Sequence, residues 1–286
     1  MKIKDEGAVS FDAISVRNGA IKETTENVAE ESPLEIRLAY GNEEPSPFAV
    51  IMRTPGMDIY LAAGYLFSEK IINSRSDILG INEGSQDNPE ERNSVTVSIK
   101  PELRKEDGIR GVRRVNSSCG LCSKSSVNEL FLKSGIIRND LKINGSVIAS
   151  LPEKLKTSQR IFSITGGLHG ASLFDYQGTM IFSAEDIGRH NAVDKVIGYA
   201  FLKGGINMSD TILQVSGRCG FEILQKAAVA GIPFVSAVSA PSSLSVEAAR
   251  TIGITLACFV RGDRFTVYSH PERILGLVPE NKISDH

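Results

Sequence analysis

The sequence has no tryptophan, only four cysteines and four histidines, and no long apolar run. The missing tryptophan excludes nothing. The scarcity of cysteine excludes more, because four thiols in 286 residues do not make a disulfide framework. A reducing, cytoplasmic setting is the expectation, and there a C-x-x-C pair is more often chemical than structural. No stretch reaches the length of a membrane-spanning helix, so no membrane insertion is expected. The opening residues, "MKIKDEGAVSFDAISVRNG", carry acids early and no continuous apolar run, which argues against a secretory signal. A formal charge of −2 implies no broad basic surface, so no nucleic acid is expected as a partner.

What the chain does have is enough apolar residue, 41%, for a real core. "LEIRLAY" places Leu34, Ile36, Leu38 and Tyr40 on one side of a strand, and "FAVIMR" reads as a second strand. Thr54 before Pro55 predicts a helix start, with a capping hydroxyl and a proline at the first helical position. The helix "GMDIYLAAGYLFSEKI" follows, then a polar loop over 82–94 and a short strand "SVTVSIK". Residues 1–115 therefore predict a small α+β domain. Residues 116–126 read as an exposed, movable loop, and 127–286 as an α/β domain. In the latter, residues 125–134 predict a helix, "PEKLKTSQRIF" a helix with Pro152 in its first turn, and "HGASLFD" with "TMIFSAED" a hairpin. "IGRHNAVDKVIGYAFLKGG" predicts a helix stopped by glycine. Strand and helix then alternate to a closing hairpin, "TLACFVRGDRFTVYS", which implies a largely parallel central sheet.

The chemistry concentrates in two places. The first is "SSCGLCSK", residues 117–124, carrying Cys119 and Cys122. The reactive form of cysteine is the thiolate, and Arg113, Arg114 and Lys124 supply the positive field that populates it. Cys122 precedes a predicted helix, whose free N–H groups favour an anion. Two packed core residues are the plain alternative, but glycine and serine flank the pair where an apolar frame would be needed. Structural zinc wants four ligands, and the other thiols, Cys219 and Cys258, are far off and unpaired in sequence. The zinc deaminase pattern, H-x-E with P-C-x-x-C, is absent, so no metal ligand is assigned. A dithiol redox motif and a persulfide carrier both fit, and the residues do not separate them.

The second place is a set of strand–helix boundaries: "TGGLHGA", "AEDIGRHNAVDK", "SGRCGFE" and "SAPSSLS". They bring together Thr165, His169, Asp186, Arg189, His190, Asn191, Asp194, Lys195, Ser216 and Arg218. Asp186, His190 and Asp194 recur every four residues on one helical face, opposite an apolar stripe of Val193, Val196, Ile197 and Ala200. Asp186 alone reads best as a helix cap. In open α/β sheets ligands bind beyond the carboxyl ends of strands, where "SGR" and "SAP" fall. The following helix N-termini suit an anion, and Gly217 and Gly220 let the backbone approach it. A phosphate- or pyrophosphate-bearing ligand is implied, without a P-loop. The closing "FVRGDR" adds Arg261 and Arg264 beside Gly262 and Asp263. This is either a plain hairpin turn or a bidentate grip on phosphate.

Taken together, "SSCGLCSK", "TGGLHGA", "EDIGRHNAVDK", "SGRCGFEILQKAAVAGIP", "SAPSSL" and "FVRGDRFTVY" resemble the formate dehydrogenase accessory sulfurtransferase family, FdhD, over about residues 34–274. The resemblance implies a sulfurtransferase that takes sulfur from a cysteine desulfurase. It delivers that sulfur to the molybdenum or tungsten bis(molybdopterin guanine dinucleotide) cofactor of formate dehydrogenase, which is a bound substrate and not a permanent cofactor. It also implies a cytidine deaminase-like fold for residues 127–286, without that fold's zinc chemistry, and a homodimer. By the same analogy Cys119 bears the persulfide and Cys122 assists. Phe259, Val260, Arg261, Gly262, Asp263 and Arg264 would help bind the guanine dinucleotide. His169, His190, Ser216, Gly217 and Arg218 are the further candidates for cofactor binding. The competing function is a chaperone that holds and inserts the finished cofactor, its C-x-x-C acting as a redox lock.

Overall fold

The computed structural model describes residues 7–85, 87–88, 91–104 and 135–277, together with the backbone of 113–115. The predicted helix at 125–134 and both residues of the C-x-x-C pair lie outside the described residues. The described chain divides into two compact units, each discontinuous in sequence. The first takes residues up to 115, then 159–170 and 184–204. The second takes 135–158, 171–183 and 205–277.

The first unit opens with a ribbon of β1 (Ala8–Arg17) and β2 (Ala20–Ala29), paired only with each other. Its turn is Asn18–Gly19, both at positive φ (50° and 80°), the geometry that suits a two-residue hairpin. A five-stranded sheet follows in the order β5 (Ile78–Glu83), β6 (Ser94–Ile99), β3 (Ser32–Tyr40), β4 (Ser46–Arg53) and β7 (Arg113–Val115). β3 runs antiparallel to β4 and parallel to β6. Alternation along β3 buries Leu34, Ile36 and Leu38, as the sequence pattern requires.

Helix α1 (Asp58–Ser68) covers this sheet and packs on α4 (Arg189–Lys203), which is remote in sequence. Both helices carry a glycine at the crossing. A Cβ on Gly64 would lie 1.9 Å from the Asp194 carbonyl oxygen, and one on Gly198 would lie 1.9 Å from that of Tyr60. The helices touch backbone to backbone there, so α4 is buried on more than its apolar stripe: Asn191, Asp194 and Lys195 are buried with Val193, Val196 and Ile197.

Two expectations fail here. Thr54 does not start α1; the helix begins at Asp58 after Met57, which takes a left-handed conformation (φ 61°). Thr54 instead belongs to the end of β4, where its N–H donates to Asp186 and its hydroxyl accepts from the Ile187 N–H. Nor does Asp186 cap α4. Gly188 holds that position, while Asp186 ends a strand and accepts the Gly188 N–H at 2.8 Å.

The second unit is built on a mixed sheet ordered β10 (Met180–Asp186), β9 (His169–Asp175), β11 (Thr211–Val215), β12 (Phe234–Ala237), β13 (Thr255–Arg261) and β14 (Arg264–Ser269). His169–Gly170 and Ala184–Asp186, at the ends of β9 and β10, count with the first unit. β11, β12 and β13 are mutually parallel; β9 and β14 flank them antiparallel. The parallel links run through α5 (Phe221–Ala230) and α6 (Ser243–Ile252), the latter capped by Ser242.

A helix α2 (Gly145–Ser158) lies over this sheet. Its Ile148 and Leu151 join Phe174, Ile212, Phe234, Ala257 and Val260 in one core cluster, with Ile143 and Ile274 of the short parallel strands β8 (Ile143–Asn144) and β15 (Ile274–Leu275). Pro152 therefore sits mid-helix and not in a first turn. Burial of Ile148, Leu151 and Leu155 on both sides of it outweighs the lost backbone bond. The helix ends before Arg160, where α3 (Arg160–Thr165) begins as a separate element against β2. The architecture is thus mixed α/β.

Candidate functional site

Three parallel strands end together in the second unit, and the residues just beyond them form the site. After β11 comes Ser216–Gly217–Arg218, and after β12 comes Ser239–Ala240–Pro241. The two turns are laced side by side: the Cys219 N–H donates to the Ala240 carbonyl at 3.1 Å and the Ser242 N–H to the Cys219 carbonyl at 3.2 Å. The third strand joins through the Phe259 N–H, which donates to the Ser239 carbonyl at 3.2 Å. Both following helices, α5 and α6, begin at this end. α6 is capped by the Ser242 hydroxyl, which accepts from Ser245. α5 starts from Gly220, which has no capping side chain, and Glu222 lies in its first turn.

β13 does not run straight through this region. Its register against β14 slips between Cys258 and Arg261, and Phe259 is held at φ 55°, a left-handed conformation rare for a bulky residue. The bulge turns Phe259 outward, leaving its ring 41% exposed, while Val260 returns to the core. The next residues close the hairpin through Gly262 (φ 58°) and put Arg261 opposite Arg264. The result is a shallow cavity of about 290 Å³ lined by Phe259, Arg261, Arg264, Phe265 and Thr266. Neither arginine ion-pairs with a described residue. Two guanidinium groups beside an exposed aromatic face suit a ligand that pairs a flat ring with phosphate oxygens. Non-glycine residues in such conformations cluster at ligand sites, where surrounding structure holds them.

Of the candidate residues, Ser216, Gly217, Arg218 and Phe259–Arg264 belong to this unit, and the hydrogen bonds through Ser239–Ser242 tie the two groups into one edge. His169 and His190 belong to the first unit, where His169 opens β9 and His190 lies in the first turn of α4. Asp186, Asn191 and Lys195 are taken up by structure. Lys195 pairs with Asp186 at 2.7 Å and donates to the carbonyls of Thr54 and Glu185; Asp186 also accepts from Asn191 and the Thr54 N–H. With every member buried and partnered, this cluster joins β4, β10 and α4 within the first unit. A second such anchor is Arg53, buried and bidentate to Asp58, with Asn93 and Ser32 as further acceptors; nothing in the spacing of these residues announces it.

Cys219 and Cys258 are buried free thiols. Burial pushes the Cys258 thiol up to about 12 and the Cys219 thiol well above the usual range, with Cys258 nearby adding to the latter. Both are poor nucleophiles. Among the described residues no cluster of three or more histidine, cysteine, aspartate or glutamate side chains is placed to hold a metal ion.

The model of the FdhD/NarQ family matches residues 29–275. The chain belongs to the FdhD/NarQ family. Relatives agree: the sulfur carrier protein FdhD of Thermoplasma volcanium is 50% identical over 254 residues, 88% of this chain and 91% of that protein. The protein of the same name from Saccharolobus solfataricus is 44% identical over 266 residues, 92% of this chain and 97% of its own. A crystal structure from Desulfotalea psychrophila, named as a formate dehydrogenase accessory protein, superposes with a TM-score of 0.73 at 26% identity, covering 94% of this chain and 99% of that one. The FdhD/NarQ match takes in both the C-x-x-C pair and the cavity of the β13–β14 hairpin, and it leaves the β1–β2 ribbon outside, apart from Ala29.

Proposed function

We propose that the chain is a cytoplasmic sulfurtransferase, carrying sulfur as a persulfide on Cys119 from a cysteine desulfurase to the molybdenum or tungsten bis(guanine dinucleotide) cofactor destined for formate dehydrogenase. The observation that carries the reading is the cavity where the exposed, left-handed Phe259 meets Arg261 and Arg264 at the ends of three parallel strands. Its chemistry fits a guanine ring linked to pyrophosphate. The sulfur half of the reading rests on family membership and on relatives named as sulfur carriers.

In the first step Cys119 thiolate attacks the terminal sulfur of the donor's persulfide. A new S–S bond forms, the donor's S–S bond breaks, and the donor leaves as a thiolate. In the second step Cys122 thiolate attacks the Cys119 sulfur. The terminal sulfur departs as sulfide toward the metal of the bound substrate, and the two electrons come from the dithiol, which is left as a disulfide. A cellular thiol reductant then restores the pair. Residues 259–264 hold the substrate's guanine dinucleotide, with Ser216–Arg218 on the adjoining turn; His169 and His190 complete the proposed set. The α/β layer is read as cytidine deaminase-like, and the working form as a homodimer. Among the described residues no helix is long and apolar enough to cross a membrane.

The test is mass spectrometry after incubation with a desulfurase and cysteine. A gain of one sulfur atom that vanishes in Cys119→Ala is expected, with cofactor binding unchanged. Cofactor bound without any sulfur gain would replace this reading with an insertion chaperone whose cysteines are a redox lock.

A further inference from the structure

The β1–β2 ribbon has two unlike outer edges. β2 is polar over its exposed length, with Lys22, Glu23, Thr25, Glu26 and Asn27. β1 carries Phe11, Ile14 and Val16 at 53%, 66% and 66% exposure. Within the ribbon Val16 faces Ile21, Ile14 faces Glu23, and Phe11 faces Glu26. Asp12, Ile14 and Val16 thus share one face with Ile21, while Phe11, Ser15 and Arg17 share the other. A two-stranded ribbon on its own is marginal in water, and an unpaired apolar edge is a template for another strand.

We propose that the β1 edge, Phe11–Arg17, is the seam at which two copies of this chain pair, antiparallel and two-fold symmetric, into a four-stranded sheet ordered β2-β1-β1-β2. A two-fold axis through such a seam keeps every residue on its own face, so one residue must face its own copy. Centring on Asp12 would oppose two carboxylates, which is unfavourable. Centring on Ile14 sets Ile14 against Ile14, flanked diagonally by the Val16 of each copy. It also sets Arg17 against the ring of Phe11, whose ribbon neighbour is Glu26, so the guanidinium gains an aromatic face and a carboxylate close by. No like charges meet across this seam. The ribbon lies ahead of the span matched by the family, so its surface is separate from the Phe259–Arg264 cavity. The inference names the surface of the homodimer proposed above and rests on that reading, but the two fail separately.

Sedimentation of the full chain and of Ile14→Lys decides between them. Ile14 is exposed, so the variant keeps the wild-type circular dichroism, and two opposed ammonium groups weaken dimerisation by about tenfold or more. In a Cys119→Ser, Cys122→Ser background, Ile14→Cys is expected to give a disulfide-linked dimer under oxidation, and Glu23→Cys, on the same face but the outer strand, is not. A wild-type dimer untouched by Ile14→Lys overturns the seam and leaves the homodimer standing. A wild-type chain monomeric throughout overturns both, and so does a ribbon protected only by a different protein.

Discussion

A buried charge is tolerable only when its partner and its remaining hydrogen bonds are all in place, and the Asp186–Lys195 pair meets that condition. Removing one partner strands the other. Lys195→Met should cost about 3–5 kcal/mol in a urea melt. Asp186→Asn combined with Lys195→Met should cost less than Lys195→Met alone, since the amide oxygen still accepts from Thr54 and Gly188 and no charge is stranded. A double variant worse than the single would show that the pair matters for more than its charge. The buried thiols make the opposite case, of groups silenced by their surroundings. With Cys258 held at about 12 and Cys219 higher still, the thiolate fraction at pH 8 is negligible at both. Iodoacetamide on the native protein should therefore spare Cys219 and Cys258, and in denaturant it should label them. Peptide mapping reads the result directly. Native labelling at either position as fast as in denaturant would return these thiols to the list of sulfur-carrying candidates.

At the scale of elements, what the sequence revealed depended on whether the cause was local. Strands β3, β4, β6, β11 and β12 and helices α4, α5 and α6 follow from alternation, helical periodicity and glycine stops, all readable within a dozen residues. Those that misled owe their form to distant partners. Thr54–Pro55 has the local grammar of a helix start, but Thr54 is held by Asp186 and Ile187 more than a hundred residues away. Pro152 has the grammar of a first turn, but core burial on both its sides carries α2 through it. The β1–β2 ribbon was legible and went unread, since Asn18–Gly19 between two alternating runs is a strong hairpin signal. In the site, the strand-end turns and the arginines were visible, whereas the outward turn of Phe259 depends on a bulge that no residue type marks. The α1–α4 crossing is likewise invisible locally, because Gly64 and Gly198 each look like ordinary helix glycines. Their close contact gives the expectation that Gly198→Ala destabilises by about 3 kcal/mol, measured as a shift in denaturant midpoint, since the methyl would drive the helices apart. A shift no larger than that of a surface glycine-to-alanine change would mean the helices do not meet there.

At the scale of the whole molecule, the compact units do not follow chain order. The first is completed only when residues 159–170 and 184–204 return to it. Its helix α1 has Leu61, Ala62, Ala63 and Leu66 buried, and α4 is the helix it packs on. Arg53 and Asp58 find their partners within the first hundred residues, but Thr54 and Ser68 spend theirs on Asp186 and Asp194. A fragment ending at residue 122 keeps the five-stranded sheet's residues and loses α4, so the apolar face of α1 would open to water with nothing to replace it. Such a fragment should show no cooperative thermal transition and poor amide dispersion by NMR. Adding residues up to 204 restores the whole first unit and should restore the transition, although the fragment then also carries strands from the second. If the shorter fragment instead melts cooperatively, α1 has another way to cover its face, and the α1–α4 pair is a late addition to a unit that already folds. That outcome would also change where truncations are safe. It would allow the C-x-x-C segment to be tested for sulfur loading in isolation, apart from the cavity at Phe259 and the two arginines.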